Sequence, residues 1–311
     1  MREILKELKG YIPEEMKERL AKQMVKKQIT DSVVDRVKKS ISSASPLQRH
    51  LNNVKNCLMY RNIKINTNDE VIISGRYCRS RFCIVCQNIR TAKYISKFED
   101  VVKNGSFSHL VLTVPNVENK DLKNTILSMK KVVSMYNDLQ RKNNIKNDLI
   151  YSIEITYNSL EKNFHPHIHA VINTDGVENL KSYWLNKWIF AKEYLQKERV
   201  LYSDDPQKGL FEIFKYITKI GKYPPEIYSE IYEATYKKRM FEQYGLFRKV
   251  KEQENNKHET TLVCTLSKVA SNYMLDSLDV GIIDQNKIRK YEAEYASKGV
   301  KAYNQKFMSN E

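Results

Sequence analysis

The chain has 311 residues, with 53 Lys and Arg against 37 Asp and Glu, for a formal net charge of +16. No run of 18 apolar residues occurs, which excludes a spanning helix, and Met1-Arg2-Glu3-Ile4-Leu5-Lys6 carries no signal-peptide core, so a soluble cytoplasmic protein is expected. Five cysteines in a reducing compartment exclude a disulfide scaffold and point to metal binding or burial, and the positive field suits a polyanion, most commonly nucleic acid.

Residues 3–42 are rich in Lys, Glu, Leu and Val. Ile4, Leu5 and Leu8, and later Val33, Val34 and Val37, recur at helical spacing, so two or three amphipathic helices are expected, with breaks at Gly10 and Pro13. A cysteine-bearing segment follows at 50–90. Residues 107–114 read as a strand stopped by Pro115-Asn116, and 121–139 as a helix with Leu122, Ile126, Met129, Val133 and Tyr136 on one side. In 149–157, Leu149, Tyr151, Ile153, Ile155 and Tyr157 alternate with Ile150, Ser152, Glu154 and Thr156, the pattern of a strand with one apolar face. A short polar connection leads to a second strand, so the two form an antiparallel hairpin that brings Glu154 to the face of that second strand's histidines. Helices are expected at 178–197 and 205–221, ended by Gly221 and Pro224-Pro225. The last third reads as helix-rich and charged, with a strand at 261–266.

Half of the six histidines lie in His165-Pro166-His167-Ile168-His169. On a strand, side chains at i, i+2 and i+4 share a face, and histidines so placed can hold a divalent metal with open coordination positions. A solvated loop would account for Phe164-His165-Pro166 but not for Ile168, Ala170, Val171 and Ile172. Further on, Glu212, Tyr216 and Lys219 fall at i, i+4 and i+7 of a helix whose other side, Phe211, Phe214 and Ile217, suits burial. A tyrosine can attack a phosphodiester, but its phenol, with pKa about 10, needs a neighbouring cation at neutral pH. With twenty tyrosines present, surface decoration is the competing reading of that stripe. Cys57, Cys78, Cys83 and Cys86 place four thiols within thirty residues, amid Arg76, Arg79, Arg81, Arg90 and Lys93, which suits a structural Zn2+ that presents arginines to DNA phosphates. Reduced, partly buried cysteines without metal are the alternative. Cys264 reads as a core residue, His109 as a hydrogen-bonded structural residue, and His50 and His258 as surface residues.

His167-Ile168-His169 followed by a tyrosine helix resembles the HUH endonucleases. More narrowly, the chain resembles the rolling-circle replication initiators of small Gram-positive plasmids, the Rep_1 family. Four blocks agree in order: Cys57 with Cys78 to Cys86; Leu110 to Val117, a strand ending in Thr-x-Pro-Asn; Glu154 to Asn158 with His165 to His169; and Lys215-Tyr216 with Lys219. The resemblance covers about 50–220. It implies a catalytic Mg2+ or Mn2+ on His167 and His169, with Glu154 or His165 as a further ligand. It also implies Tyr216 as nucleophile, Glu212 as the base that activates water at termination, and Lys219 beside the phenol. Arg79, Arg81, Arg90 and Lys215 are the expected DNA contacts.

The expected fold is α+β, with a central antiparallel β-sheet, the histidines on an inner strand and the tyrosine helix across that face. The expected domains are an N-terminal helical segment at 1–45, a zinc-binding DNA-contact segment at 46–104, an HUH catalytic core at 105–225 and a helix-rich, origin-binding segment at 226–311. The partners implied are plasmid origin DNA, duplex and single-stranded, and the host helicase and replication proteins, with no membrane. A histidine-triad nucleotide hydrolase or transferase, a non-enzymatic DNA-binding protein, and an HUH transposase or relaxase are the alternatives.

Overall fold

A computed structural model describes residues 14–68, 71–188, 191, 196–201, 206–214, 223–251 and 260–267. These fall into two compact units, one from residues up to 87 with 223–225 and 260–267, the other from 88–214 with 226–251. Among the described residues, no helix is long and apolar enough to cross a membrane.

In the first unit, α1 (Glu14–Ser40) is one continuous helix that packs against α2 (Pro46–Lys55). Ile29, Val33, Val34 and Val37 from α1 and Leu47, Leu51 and Val54 from α2 are buried. Lys27 is also buried; its ammonium bonds the Asp31 carboxylate and donates to the Val54 and Lys55 carbonyls at 3.2 Å, closing the C-terminal end of α2. Ser45 caps the other end, its hydroxyl accepting from Leu47 N–H beside Pro46 in the first turn. A three-stranded antiparallel sheet follows, with β1 (Tyr60–Asn66) between β2 (Val71–Gly75) and β8 (Thr260–Ser267). The expected strand at 261–266 is thus present, whereas the β1–β2 hairpin lies in the cysteine segment, where turn and charge signals hid the alternation. The helix α3 (Ile84–Lys103) follows in the chain.

The second unit is built on a five-stranded antiparallel sheet, in the order β6-β3-β5-β4-β7. Its strands are β3 (Phe107–Thr113), β4 (Leu149–Asn158), β5 (Asn163–Asn173), β6 (Lys197–Leu201) and β7 (Phe241–Gln243). The histidine strand is therefore the central one, and the fold is α+β with an inner histidine strand as expected. The helix expected at 178–197 ends earlier. Here α5 (Val177–Lys187) stops at Trp188, and the chain returns along the sheet edge as β6, where paired backbone groups replace helical ones.

Register decides the faces. Ile150, Ser152, Glu154 and Thr156 pair with Val171, His169, His167 and His165, and Val111 and Thr113 with His169 and His167, so all share one face. At one end of that face, Ile150, Val171 and Phe107 pack with Phe98 and Val102 of α3 and with Leu210, Ile213 and Phe214 of α6 (Pro206–Phe214). The opposite face, including Leu110, Leu112, Ile153, Ile168, Ala170 and Ile172, is fully buried, and α4 (Asn119–Lys142) and α5 pack along β5 and β3. A 3-10 turn at Thr174–Gly176 links β5 to α5, and the helix α7 (Pro225–Thr235) and the short α8 (Leu246–Lys249) follow later in the chain.

Candidate active site

The pairing of Glu154 with His167 sets the site. Both side chains leave the same face of the central hairpin, and Ser152 opposite His169 brings the second imidazole alongside. The Glu154 carboxylate, 3% exposed, places Oε2 3.2 Å from His167 Nε2 and 3.0 Å from His169 Nε2. Among the described residues, these three form one of two groups whose donor atoms converge closely enough to hold a metal ion.

The ring nitrogens facing away from Glu154 are also engaged. His167 Nδ1 lies 3.2 Å from the carbonyl of His165, which can only accept, so Nδ1 carries the proton. His167 Nε2 then faces a carboxylate, and a proton or a cation must lie between two groups that would otherwise oppose lone pairs. His169 Nδ1 lies 3.2 Å from His109 Nε2, with the two rings parallel. Such outer partners orient imidazoles toward a metal. Donor separations of 3.0 and 3.2 Å match neighbouring ligands of an octahedral ion with bonds of about 2.1 Å, which lie about 3 Å apart. The residues fit a two-histidine, one-carboxylate centre.

His165, the remaining histidine of the motif, lies outside this cluster. Its ring stacks on that of His167 with centroids 5.2 Å apart, and its Nδ1 lies 2.8 Å from Asn116 Oδ1. Burial, then the His167 charge, lowers its pKa from the ordinary 6.5, against the opposing charge of Glu154. Asn116 belongs to the Thr-x-Pro-Asn block, so that block meets the histidine strand through a side chain. At the start of the same block Thr113 is held on every polar group. Its N–H donates to Gln196 Oε1 at 2.7 Å, its hydroxyl meets Gln196 Nε2 at 2.9 Å, and its carbonyl accepts from Trp184 Nε1 at 2.8 Å. Gln196 was not legible as a site-supporting residue, because its partner lies 83 positions away.

The helix α6 packs on the same face. Ser152, opposite His169, donates its hydroxyl to the carbonyl of Ile213, and Thr91 donates to that of Phe214 at 2.8 Å. These bonds and the burial of Leu210, Ile213 and Phe214 fasten α6 to the sheet. Glu212 lies on this helix, whereas Lys215, Tyr216 and Lys219 lie outside the described residues.

The second converging group is Cys57, Cys78, Cys83 and Cys86. Sγ separations are 3.5 Å for Cys57–Cys86 and Cys78–Cys86 and 3.7 Å for Cys83–Cys57. A tetrahedral zinc with Zn–S of about 2.3 Å sets its sulfurs about 3.8 Å apart, so the residues fit that ion. Backbone N–H groups also point at sulfur, from Cys78 to Cys57 and from Ser80 to Cys78, each at 3.5 Å. Left-handed residues follow two of the cysteines, Leu58 at φ 57° and Arg79 at φ 54°. Such backbone is strained for non-glycine residues and persists where the surroundings over-determine it. Gly75 leaves room for Leu58, since a Cβ there would stand 2.8 Å from Leu58 Cδ2.

His50, expected at the surface, is instead half-buried. Its Nε2 lies 2.6 Å from Ser80 Oγ, which accepts from Phe82 N–H, and its ring meets Phe82 edge-on. An isolated histidine within a helix carries no sequence signal of such a role. Of the expected DNA contacts, Arg79 is exposed, and Arg81 and Arg90 are half-buried. Cys264 lies on β8 opposite Ile63, and His258 lies outside the described residues.

Residues 69–199 match the Rep_1 family model, described as "Replication protein". Over 202 residues the chain is 28% identical to "Protein rep" of Streptococcus pneumoniae serotype 2 (strain D39 / NCTC 7466), which covers 56% of this chain and 62% of that protein. Over 162 residues it is 26% identical to "Protein rep" of Staphylococcus aureus, covering 47% of this chain and 71% of that one. The chain thus spans less than two thirds of the pneumococcal relative. No solved structure matches it.

Proposed function

We propose that this chain, which resembles the Rep_1 replication proteins in its motifs and matches their family model, initiates rolling-circle replication of a plasmid by nicking one strand of its origin. The observation that carries the reading is the convergence of His167 Nε2 and His169 Nε2 on one oxygen of Glu154, at 3.2 and 3.0 Å. Glu154, His167 and His169 would hold a divalent ion, and two imidazoles beside a single carboxylate favour Mn2+ over the all-oxygen preference of Mg2+. Bound there, such an ion supplies Lewis-acid polarisation of the scissile phosphate.

The remaining chemistry belongs to the chain. Tyr216 attacks the phosphorus through its phenolic oxygen. A Tyr–O–P bond forms and the P–O3′ bond breaks, so the phenol proton is lost to a base and the departing 3′ oxygen gains one. The products are a 5′-phosphotyrosine and a free 3′-OH primer, and the retained phosphodiester energy permits rejoining. Lys219 favours the phenolate by its charge, and Glu212 deprotonates water in the hydrolysis that ends a cycle. The cysteine centre would hold Zn2+ and present Arg79 and Arg81 to phosphates, with Arg90 and Lys215 as further contacts. Residues 46–104 and 226–311 would provide origin recognition, and the host helicase and replication proteins would act on the nicked product. The histidine-triad alternative needs a histidine nucleophile, whereas here the two inner imidazoles turn Nε2 to a carboxylate.

The test is to incubate the protein with a labelled origin oligonucleotide and Mn2+, and to map the covalently modified residue by mass spectrometry. An adduct on Tyr216 that disappears in Tyr216→Phe is the expected result. An adduct elsewhere, or release of product with none, overturns the assignment.

A further inference from the structure

The guanidinium of Arg61 has no role in the chemistry above, yet it is 3% exposed on β1, and Nε and both terminal nitrogens lack a hydrogen-bond partner. A cation shut from water without a partner is strongly disfavoured, so its burial calls for a neighbouring negative charge. A DNA phosphate cannot reach a group this enclosed.

The surroundings point to the cysteine centre. Arg61 pairs with Gly75 across the β1–β2 hairpin, and its Cγ lies 3.9 Å from where a Gly75 Cβ would stand. The side chain therefore lies along the open end of the hairpin. Immediately beyond, Leu58 N–H donates to the Arg76 carbonyl at 2.9 Å, and Cys57 meets Cys78 through the N–H to Sγ contact of 3.5 Å. Burial disfavours the Arg61 cation, and the residues at this end of the hairpin that can supply a compensating negative charge are Cys57 and Cys78 once they hold a metal.

We propose that Arg61 is the buried counter-charge of a metal tetrathiolate at Cys57, Cys78, Cys83 and Cys86, so that its burial is stabilised only when the metal is bound. The inference rests on the metal-binding reading of the cysteines. On loading, four S–H groups release their protons to solvent and four metal–sulfur bonds form. A divalent ion with four thiolates carries a net charge of −2, of which the guanidinium offsets one.

The test uses the full chain, stripped of metal under reducing conditions and titrated with Co2+ against a competing chelator. The readouts are the sulfur-to-cobalt charge-transfer band, which the histidine–glutamate site cannot produce, and the melting temperature of each form. Arg61→Met should bind Co2+ at least about tenfold more weakly, as expected for loss of a close charge pair. Arg61→Lys keeps the charge and should stay within about threefold of wild type. Metal-free Arg61→Met should melt above metal-free wild type and gain less on loading, a crossing that loss of packing alone would not give. Should methionine prevent folding, Arg61→Gln reads the same loss of charge. Unchanged cobalt affinity, or lower melting in both forms, overturns the proposal. Absence of the charge-transfer band in wild type overturns the cysteine reading itself, and the proposal with it.

Discussion

His109 and His169 stack with their rings parallel to within 1° and their centroids 5.4 Å apart, and His109 Nε2 lies 3.2 Å from His169 Nδ1. The contact crosses from β3 to β5 and occupies the one ring nitrogen of His169 that Glu154 does not face. With Nδ1 as donor, His169 keeps the Nε2 lone pair that a metal requires. His109 is thus a positioning residue for the candidate centre.

Its removal should therefore act on the metal before it acts on the fold. His109→Ala is expected to weaken Mn2+ binding by about 10- to 100-fold, the range typical of lost outer partners. Mn2+ titration followed by electron paramagnetic resonance measures this. His109→Gln, which retains a hydrogen-bonding group, should recover part of the affinity. Equal affinity in all three proteins would leave His109 with packing alone.

His50 should make stability depend on pH. Burial first, and the Arg81 charge second, lower its folded pKa from the ordinary 6.5. As pH falls below 6.5 the unfolded chain takes up a proton that the folded chain resists, so the unfolded state binds more protons and stability falls with it. The loss runs from about pH 7 down to the lowered folded value. Melting temperatures from pH 7.5 to 5 should fall less steeply in His50→Gln than in wild type, and identical slopes would remove His50 from the effect.

Phe98 should matter to both stability and nicking. Its fully buried ring lies 6.0 Å from Phe214 and 5.7 Å from Phe247, between α3 and the helix that leads to Tyr216. Phe98→Ala is expected to cost about 3–5 kcal/mol in denaturant unfolding. Phe98→Leu, which refills most of the volume, should cost less and retain more adduct formation on an origin oligonucleotide. Equal adduct yields in the two variants would separate this core from the tyrosine segment.

What the sequence determined by itself was local and periodic. Alternation in 149–157 and the two-residue spacing of the histidines specify strands and faces, and the short polar link between them forces an antiparallel pair. That pairing by itself brings Glu154 beside the histidines. Four cysteines within thirty residues likewise announced a converging group.

What tertiary structure decided was whatever depends on contacts distant in the chain. Register put Glu154 directly across from His167, and pairing with β3 brought His109 to His169 from 60 positions away. The same packing drew His165 out to Asn116 and left His167 and His169 as the inner pair. Periodicity reports which face a side chain takes, but a one-residue change of register reverses that face, and only the packed sheet sets the register. Arg61 is the plainest case. Its neighbours in sequence mark it as an ordinary strand cation, and only the closing of the hairpin beside Cys57 and Cys78 buries it. The three-histidine motif thus resolves into two inner imidazoles sharing a carboxylate and an outer one bound to the Thr-x-Pro-Asn block, because one sheet face admits only so many side chains around a single point.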